Sequence, residues 1–381
     1  MKHVLIVNHV SNIGGAELSM KLLIQNMDRQ KYRYTVALPS HGPFFNLLID
    51  CGIDVDIVKI NGWRFWVRSL EHKFKFILTM PLSFFSTIKW IKYLYLTKPD
   101  IVHFNINRLV EPIIAAKILN IPTLMHFRDI PSRMDSNFIF GMNSFYRLMC
   151  LSNVWVSNSD ATYNDIKNKA VNRVFNIPNG VDLSLFDRKN PSKNYLHNKK
   201  IIVAMIAAIV PWKNYSTFLK VASKVNKSKK DVEFWIIGSG DKGHQQELES
   251  LALNLNINQH IKFTGFVDNI YSLINDIDIL VHTTIQEPFG RVFIEAMAAR
   301  KPIVAFNSGG AAQIILNNET GVLVPPGDAQ RMSDAILTLI NEPNKRRKMG
   351  ENGRIRVESL FSIDRHCKEI SNVYDYLTHH L

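Results

Sequence analysis

The residues of this chain best placed to do chemistry are two glutamates, Glu287 and Glu295, separated by seven residues in the stretch 286–299. Pro288 suits the start of a turn, and Gly290 lets the backbone come close to a ligand. An Ala-rich helical segment follows, and free N–H groups at a helix start attract an anion such as a diphosphate. Carboxylates beside an anion site are costly unless hydroxyl groups donate to them, and sugars and ribose supply hydroxyls. The pattern suggests a nucleotide-sugar site, although a strand, turn and helix with Glu295 on the surface is the plain alternative.

The strings Glu-Pro-Phe-Gly-Arg (287–291) and Glu-Ala-Met-Ala (295–298) closely resemble the signature of glycosyltransferase family 4. Members of that family are retaining enzymes of the GT-B fold. The resemblance implies that Glu287 holds the ring hydroxyls of the donor sugar at the catalytic centre and that Glu295 holds the ribose diol. Positive charge at the helix start would stabilise the departing nucleoside diphosphate, so neither a metal nor another cofactor is expected. Further donor-binding residues implied on this loop are Phe289, Gly290 and Arg291.

The resemblance reaches other loops of the chain. Gly14 and Gly15, between a first strand and a first helix, would close over the donor from the acceptor domain. His126, at a strand end, would lie beside the donor sugar and help to position it for catalysis, whereas a histidine satisfied in the core is the alternative. Lys213, after Val-Pro-Trp, would clamp the donor diphosphate. Loops implied to line the nucleotide contribute Gly238, Ser239 and Val267.

Three positions depart from the family pattern. Relatives commonly carry an Arg where Ala208 stands, and losing a bidentate guanidinium costs about 2 kcal/mol or more of phosphate binding. Either Arg291 compensates or donor binding is weak. Many relatives have Asp directly after the strand-end histidine. Here Phe127 and Arg128 lie between His126 and Asp129, which leaves the role of Asp129 open. Gln313 stands where a Glu usually follows the Ser-Gly-Gly turn.

Apolar runs that read as strands alternate with helical stretches along the chain, which predicts parallel sheets with helices on both faces. The predicted strands are 3–9, 34–39, 54–59, 100–104, 122–127, 153–157 and 173–177, then 201–207, 232–238, 261–266, 278–282, 302–306 and 321–324. Residues 16–27 are predicted to form the first helix, and the polar stretch Arg188 to Lys200 reads as a linker.

Two such halves match the α/β GT-B fold, in which two Rossmann-like parallel-sheet domains face a cleft and a C-terminal helix crosses back. The expected domains are an N-terminal acceptor-side domain at 1–190 and a nucleotide-sugar donor domain at 191–360. Residues 361–381 are expected to form the helix that returns to the N-terminal domain.

Composition sets the broad class of protein. The chain has 381 residues, 46% of them hydrophobic and 21% charged, which indicates a globular rather than a disordered protein. Three widely spaced cysteines argue against a disulfide framework or a zinc site and fit a reducing cytoplasm. Neither a signal peptide nor a conventional membrane span is expected. Asp54-Val55-Asp56 matches the Asp-x-Asp string that other glycosyltransferases use for a metal, but no further ligands lie nearby.

Positive charge is concentrated in the first half. The net charge is +13, and residues 1–190 hold 23 Lys and Arg against 14 Asp and Glu, or +9. Residues 61–98 hold seven Lys and Arg, one Glu and ten aromatics, among them Trp63, Trp66 and Trp90. They read as basic amphipathic helices separated by Pro81, which suits an anionic membrane surface, although helices packed on the sheet with solvated lysines are the alternative.

The resemblance to glycosyltransferase family 4 therefore implies a metal-independent retaining glycosyltransferase of surface-glycan synthesis. The donor would be a UDP- or GDP-linked hexose or related sugar, and the acceptor a lipid-linked or polysaccharide chain. The enzyme would lie in the cytoplasm at the inner face of the plasma membrane, with no nucleic acid as partner. The alternatives are a GT-B nucleotide-sugar epimerase and a non-catalytic nucleotide-sugar binding homologue, which Ala208 makes conceivable.

Overall fold

A computed structural model describes residues 1–60, 66–67, 70–133, 137–187, 200–267 and 269–379, with the backbone alone for 66–67, 70–80 and 137. The chain forms two compact units, the first from Met1–Gly180 and Ile363–Leu381 and the second from Val181–Ser362. The sequence placed this boundary later, after residue 190. Val181 already belongs to the second unit, because its N–H donates to the Phe361 carbonyl and its side chain lies in that unit's core.

The first unit contains a parallel seven-stranded sheet with the order β3-β2-β1-β5-β6-β8-β9. Its strands are β1 (Lys2–Val7), β2 (Tyr32–Leu38), β3 (Asp54–Ile57), β5 (Ile101–Phe104), β6 (Thr123–Phe127), β8 (Val154–Ser157) and β9 (Arg173–Asn176). A short antiparallel pair, β4 (Trp66–Val67) and β7 (Asn137–Phe138), was not predicted. Because strand order reverses between β1 and β5, the loops after these two strands begin side by side, where ligands of open α/β sheets bind.

Helices cover both faces of the first sheet. They are α1 (Gly15–Asn26), α2 (Pro43–Asp50), α3 (Leu70–Thr97), α4 (Val110–Ile118), α5 (Met142–Met149), α6 (Asp160–Ile166) and α15 (Ile363–His379). Alternate residues of each strand face opposite cores, since successive strand side chains point to opposite faces. Val4 and Ile6 pack with α1 and α15, whereas Leu5 and Val7 pack with α3 and α4. The predicted return of the C-terminal helix to the first unit is present.

The second unit contains a parallel six-stranded sheet with the order β12-β11-β10-β13-β14-β15, which reverses between β10 and β13. Its strands are β10 (Ile201–Ile206), β11 (Val232–Ile237), β12 (Ile261–Gly265), β13 (Ile279–His282), β14 (Ile303–Phe306) and β15 (Gly321–Val324). Its helices are α7 (Ser184–Asp187), α8 (Tyr215–Ser228), α9 (Lys242–Asn254), α10 (Ile270–Asp276), α11 (Arg291–Ala298), α12 (Gly310–Ile314), α13 (Ala329–Asn341) and α14 (Pro343–Leu360). Two parallel-sheet α/β units confirm the predicted fold class.

The segment between β3 and β5 differs from its prediction. One helix, α3, runs through Pro81, where the sequence predicted two helices. Trp90 was expected at a membrane surface but is fully buried, and its indole N–H donates to the Lys59 carbonyl at 3.2 Å. Trp90 is therefore part of the hydrophobic core of the first unit. Trp63 and the side chain of Trp66 lie outside the described residues, and in the described part no helix is both long and apolar enough to cross a membrane.

Candidate active site

In the second unit, two charged side chains meet where the strand order reverses. Lys213 ends a short 3-10 helix that follows β10, and Glu287 lies on the loop that follows β13. The Lys213 ammonium donates to Glu287 Oε2 at 2.5 Å, and His282 Nε2 lies 3.1 Å from the same oxygen. Sequence reasoning missed His282. Its signal was a polar residue that ends an apolar strand directly before the Glu-Pro-Phe-Gly loop.

The carboxyl of Glu287 is ionised in spite of its burial. Burial acts to raise its pKa, but the charge of Lys213 and the hydrogen bond with His282 outweigh burial and lower the pKa to about 2. Burial also lowers the pKa of His282, which leaves that imidazole neutral near pH 7 with Nε2–H as the donor to Glu287. Oε2 therefore has two partners, whereas no described residue donates to Oε1. Oε1 is the oxygen left for a ligand hydroxyl.

Backbone contacts hold the Glu287 loop in place. The Gly310 N–H donates to the Glu287 carbonyl at 2.8 Å. A Cβ on Gly309 would lie 2.2 Å from that carbonyl oxygen, and Gly309 has a φ of +53°. Glycine is therefore required where this turn touches the loop. The Lys213 side is tied down as well, since Asn214 and Thr283 exchange hydrogen bonds at 3.2 and 2.9 Å.

The second glutamate of the motif is also paired. Gly290 precedes α11 with a φ of +85°, which carries the chain sharply into the helix. Arg291 Nε donates to Glu295 Oε1 at 2.7 Å, and Nη2 lies 3.4 Å from the Tyr271 hydroxyl. Arg291 Nη1 is buried and has no partner among the described residues. The guanidinium thus lies against the carboxylate predicted to hold ribose, and its predicted contact with a diphosphate stays a prediction.

The other predicted residues of this unit occupy neighbouring loops. Gly238 has a φ of +142°, and a Cβ there would lie 2.1 Å from the Ala207 carbonyl oxygen. The Ser239 carbonyl accepts from the Ile209 N–H at 3.0 Å, so the loops after β10 and β11 touch. Val267 is half-buried against the core. The Phe289 side chain is buried in that core, so its backbone is the part that a ligand could contact, and its place in the donor site stays a prediction.

In the first unit, a buried polar network lies at the corresponding reversal of strand order. Asn105 follows β5 and donates to the side chain of Asn8, which follows β1, at 2.9 Å. Asn8 donates in turn to Glu17 of α1 at 3.1 Å. Arg128, directly after β6, donates to the side chains of Asn105 and Asn179 at 3.0 and 2.8 Å. Sequence reasoning missed this network, because its members are scattered between residues 8 and 179.

The predicted residues of the first unit lie around this network. Gly14 precedes α1, and a Cβ there would meet the carboxylate of Glu17 at 2.8 Å. Gly15 begins the helix, and a Cβ there would meet nothing within 4 Å. His126 is fully buried, with Nδ1 3.4 Å from His103 and Nε2 without a partner among the described residues. Burial and the charge of Arg128 hold the pKa of His126 well below its usual range.

Comparison with known proteins identifies the family. Residues 13–185 match the model described as Glycosyltransferase Family 4, and residues 186–356 match the model described as Glycosyl transferases group 1. The chain belongs to glycosyltransferase family 4. The resemblance carried by the residues around Glu287 and Glu295 is therefore confirmed.

Curated relatives in the family are distant. The capsular polysaccharide biosynthesis glycosyltransferase CapM of Staphylococcus aureus is 29% identical over 213 residues, 55% of this chain and 56% of that protein. A GDP-mannose-dependent monoacylated alpha-(1-6)-phosphatidylinositol monomannoside mannosyltransferase of Corynebacterium glutamicum is 28% identical over 213 residues, 52% of this chain and 55% of that protein. The chain thus spans about half the length of the curated relatives it matches.

A solved structure extends the likeness of fold to almost the whole chain. The crystal structure of HepE from Anabaena in complex with UDP-glucose has a TM-score of 0.82 and 23% identity, over 98% of this chain and 100% of that one. Together with the two parallel sheets, this likeness confirms the GT-B fold. Of the predicted family 4 residues, the structure brings together Lys213 with Glu287 and Arg291 with Glu295, each pair within the second unit.

Proposed function

We propose that this chain is a retaining glycosyltransferase that moves a hexose or a related sugar from a UDP- or GDP-linked donor to a lipid-linked or polysaccharide acceptor. The main support for this proposal is the contact of the buried, ionised carboxylate of Glu287 with Lys213, at the point where strand order reverses in the second sheet. Ligands of open α/β sheets bind at such points. Family membership supports transfer as the reaction, and the relatives that use GDP-mannose or bind UDP-glucose support the choice of donors.

The residues of the second unit have distinct roles in this proposal. A bound diphosphate competes with Glu287 for the Lys213 ammonium, and the cation then stabilises negative charge on the leaving group. Glu287 accepts hydrogen bonds from sugar hydroxyls through Oε1, and His282 keeps hold of Oε2. Glu295 receives the ribose hydroxyls while Arg291 fixes its carboxylate. Hydroxyl donors are the groups that a buried anionic carboxylate needs.

The transfer needs no protein nucleophile. The bond from the anomeric carbon to the diphosphate oxygen breaks, and a bond to the acceptor oxygen forms on the same face of the sugar. The acceptor hydroxyl proton passes to the departing phosphate oxygen. Positive charge from Lys213 lowers the barrier by stabilising that oxygen, so the proposal assigns the enzyme no metal.

A donor screen tests the function. Thermal shifts with a panel of UDP and GDP sugars find the donor, and slow release of the nucleoside diphosphate with retained anomeric configuration supports transfer chemistry. Glu287→Gln should lower turnover by about 100-fold or more, because it removes the anionic acceptor for the sugar. Glu249→Gln, an exposed change on α9, is the matched control. An epimerised sugar would instead identify an epimerase, and donor binding without turnover by the wild type in the presence of glycan acceptors would identify a binding protein.

We also propose that the enzyme works at an anionic membrane surface through α3. The outward face of this helix carries apolar side chains that are 47–66% exposed: Leu82, Phe84, Phe85, Ile88, Tyr95 and Leu96. Lys89 and Lys92 lie on the same exposed face. Exposed aromatics beside lysines on one helix suit the headgroup region of an anionic bilayer. The sequence assigned the membrane contact partly to Trp90, which is buried, and the exposed residues of α3 take that role here.

Vesicle sedimentation tests the membrane proposal. The protein should sediment with vesicles that contain anionic lipid and should be released as salt rises, because the Debye length falls to about 3 Å at 1 M. The double change Phe84→Ser and Phe85→Ser should reduce binding by about tenfold or more. Leu253→Ser with Ile355→Ser, which removes comparably exposed apolar groups from the second unit, should leave binding unchanged. Wild-type protein that stays in the supernatant at low salt would contradict the proposal.

A further inference from the structure

Three buried side chains of the first unit form a chain of contacts that ends at His126. The hydroxyl of Tyr374, on α15, lies 2.7 Å from His103 Nδ1. His103 Nε2, on β5, lies 3.4 Å from His126 Nδ1, on the neighbouring strand β6. All three side chains are fully buried. The contacts therefore connect the C-terminal helix to the strand-end histidine inside one unit.

The two imidazoles face each other edge to edge. Their ring planes differ by 11°, and their centroids are 5.6 Å apart. The two nitrogens are only 3.4 Å apart, so they lie between the ring centres rather than above one another's rings. At this length the contact is a long hydrogen bond, since 2.7–3.2 Å is usual. It is directional enough to prefer one arrangement of protons and weak enough to be shifted by a single substitution.

The tyrosine decides the direction of the chain. His103 is the hydrogen-bond partner of the Tyr374 hydroxyl among the described residues, since the neighbouring Tyr34 hydroxyl makes no hydrogen bond there. Either direction leaves one buried donor without an acceptor, the Tyr374 O–H in one case and the His126 Nε2–H in the other. The directions differ in strength, because a phenol O–H is a stronger donor than an imidazole N–H, and an imidazole nitrogen is a stronger acceptor than a phenol oxygen. Tyr374 therefore donates to His103 Nδ1. A neutral His103 then carries its proton on Nε2 and donates to His126 Nδ1.

We propose that Tyr374 and His103 are positioning residues that hold His126 in the tautomer with its proton on Nε2. The inference rests on the proposed function for the identity of the ligand. His126 Nε2 is buried and has no partner among the described residues, so its N–H is the hydrogen-bond donor left for an oxygen of a sugar or phosphate ligand. In this tautomer His126 supplies a neutral hydrogen bond and cannot take a proton at Nε2.

The charge state of the histidines agrees with this arrangement. Burial and the charge of Arg128 hold the pKa values of His103 and His126 well below the usual range. Burial raises the pKa of Tyr374 well above its usual value, so the hydroxyl keeps its proton. Each member of the chain is thus neutral near pH 7.

Long-range ¹H–¹⁵N correlation spectra of the full chain, labelled with ¹⁵N-histidine and free of ligand, measure the tautomer directly. Loss of signals in His126→Gln assigns the residue. We expect a protonated Nε2 and an unprotonated Nδ1 in the wild type. The opposite tautomer, or a doubly protonated ring at pH 7.5, would overturn the proposal.

Tyr374→Phe removes the hydroxyl that sets the direction. We expect His126 to change from one tautomer to a mixture, whereas Tyr376→Phe, on the same helix but against Phe175, should leave the spectrum unchanged. An unchanged tautomer in Tyr374→Phe would contradict the proposal. Should that variant fail to fold, the wild-type spectrum still decides.

Turnover separates this inference from the proposed function. With a donor identified, Tyr374→Phe should lower kcat/KM about fivefold, the effect of one weakened neutral hydrogen bond. An unaltered kcat/KM together with the expected tautomer change would show that the Nε2–H does not serve the reaction, which contradicts the inference. Absence of any turnover in the wild type would count against the proposed function alone, because the tautomer is measured without substrate.

Discussion

The ion pair between Lys213 and Glu287 allows a quantitative test of the site. We would compare the wild type with Lys213→Met, Glu287→Gln and the double variant in a thermodynamic cycle. The pKa of Glu287 is lowered from its ordinary value of 4.5 to about 2, and one pKa unit corresponds to about 1.4 kcal/mol. The carboxylate form is therefore favoured by about 3 kcal/mol. The side chains are only 11% and 13% exposed, so solvent screens little of this.

Lys213→Met should be the most destabilising of the three variants, because it leaves a buried carboxylate with His282 alone. Removing one partner of a buried pair costs about 3–5 kcal/mol, whereas Glu287→Gln also removes the charge that needs compensation. The coupling free energy between the two positions should be about 2–3 kcal/mol in urea unfolding of the full chain at pH 7.5. The pair Arg365–Glu369, with a 2.9 Å contact and side chains 40% and 29% exposed, is the more solvated control and should couple by about 0.5 kcal/mol or less.

The pH dependence gives a second measurement of the same pair. Because the folded pKa of Glu287 lies below the unfolded value, its contribution is complete above about pH 4.5 and is lost as pH falls toward about 2. The free energy of unfolding of the wild type, minus that of Glu287→Gln, should therefore shrink between pH 5 and pH 3. Coupling no larger than that of the control pair, or a difference that does not change with pH, would refute the reasoning.

Four further outcomes follow from the second unit. Glu287→Ala should abolish most transfer while the far-ultraviolet circular dichroism stays that of the wild type; near-normal turnover at saturating donor would contradict its assignment. Lys213→Ala should weaken donor binding in calorimetry by about tenfold or more, and equal affinity to the wild type would exclude it from the diphosphate site. Arg291→Ala should also weaken binding if it replaces the family Arg, and an unaltered affinity would reject that compensation. Gly290→Ala should destabilise the unit by about 2 kcal/mol or more in urea unfolding, since its Cβ would lie 2.2 Å from the Phe293 ring; wild-type stability would contradict this.

The sheets were predictable because most of their strands are short apolar runs, and the central ones, such as β5, β6, β8, β13 and β14, are buried on both faces. Each predicted strand of the two large sheets is present, with ends shifted by no more than two residues. Strand order determines which loops are neighbours. Lys213 follows β10 and Glu287 follows β13, and these strands are adjacent, so the contact follows from the two motifs once the fold is known. The bond between Arg291 and Glu295 is local, since residues four apart share one face of a helix.

The remaining parts of the site depend on contacts that carry no local signal. Asn8, Asn105 and Arg128 form one network only because three strands end at the same edge of a sheet. The burial of Trp90 reflects packing on the sheet, which its basic and aromatic neighbours in sequence do not reveal. Tyr374 and His103 are 271 positions apart in the sequence, so their contact becomes visible only in the folded structure.

The path of α15 has a consequence for how the protein is made. Ile370, Tyr374 and Leu377 belong to the same apolar core as Val4 and Val36, although the whole second unit is translated between them. Domains usually fold in the order in which they leave the ribosome. Here the first unit to emerge cannot close its core until residues 363–379 have followed, so the second unit can reach its native state first. A nascent chain stalled before residue 363 should therefore expose apolar surface from β1 and β2 and depend on chaperones, even though its first 180 residues are complete.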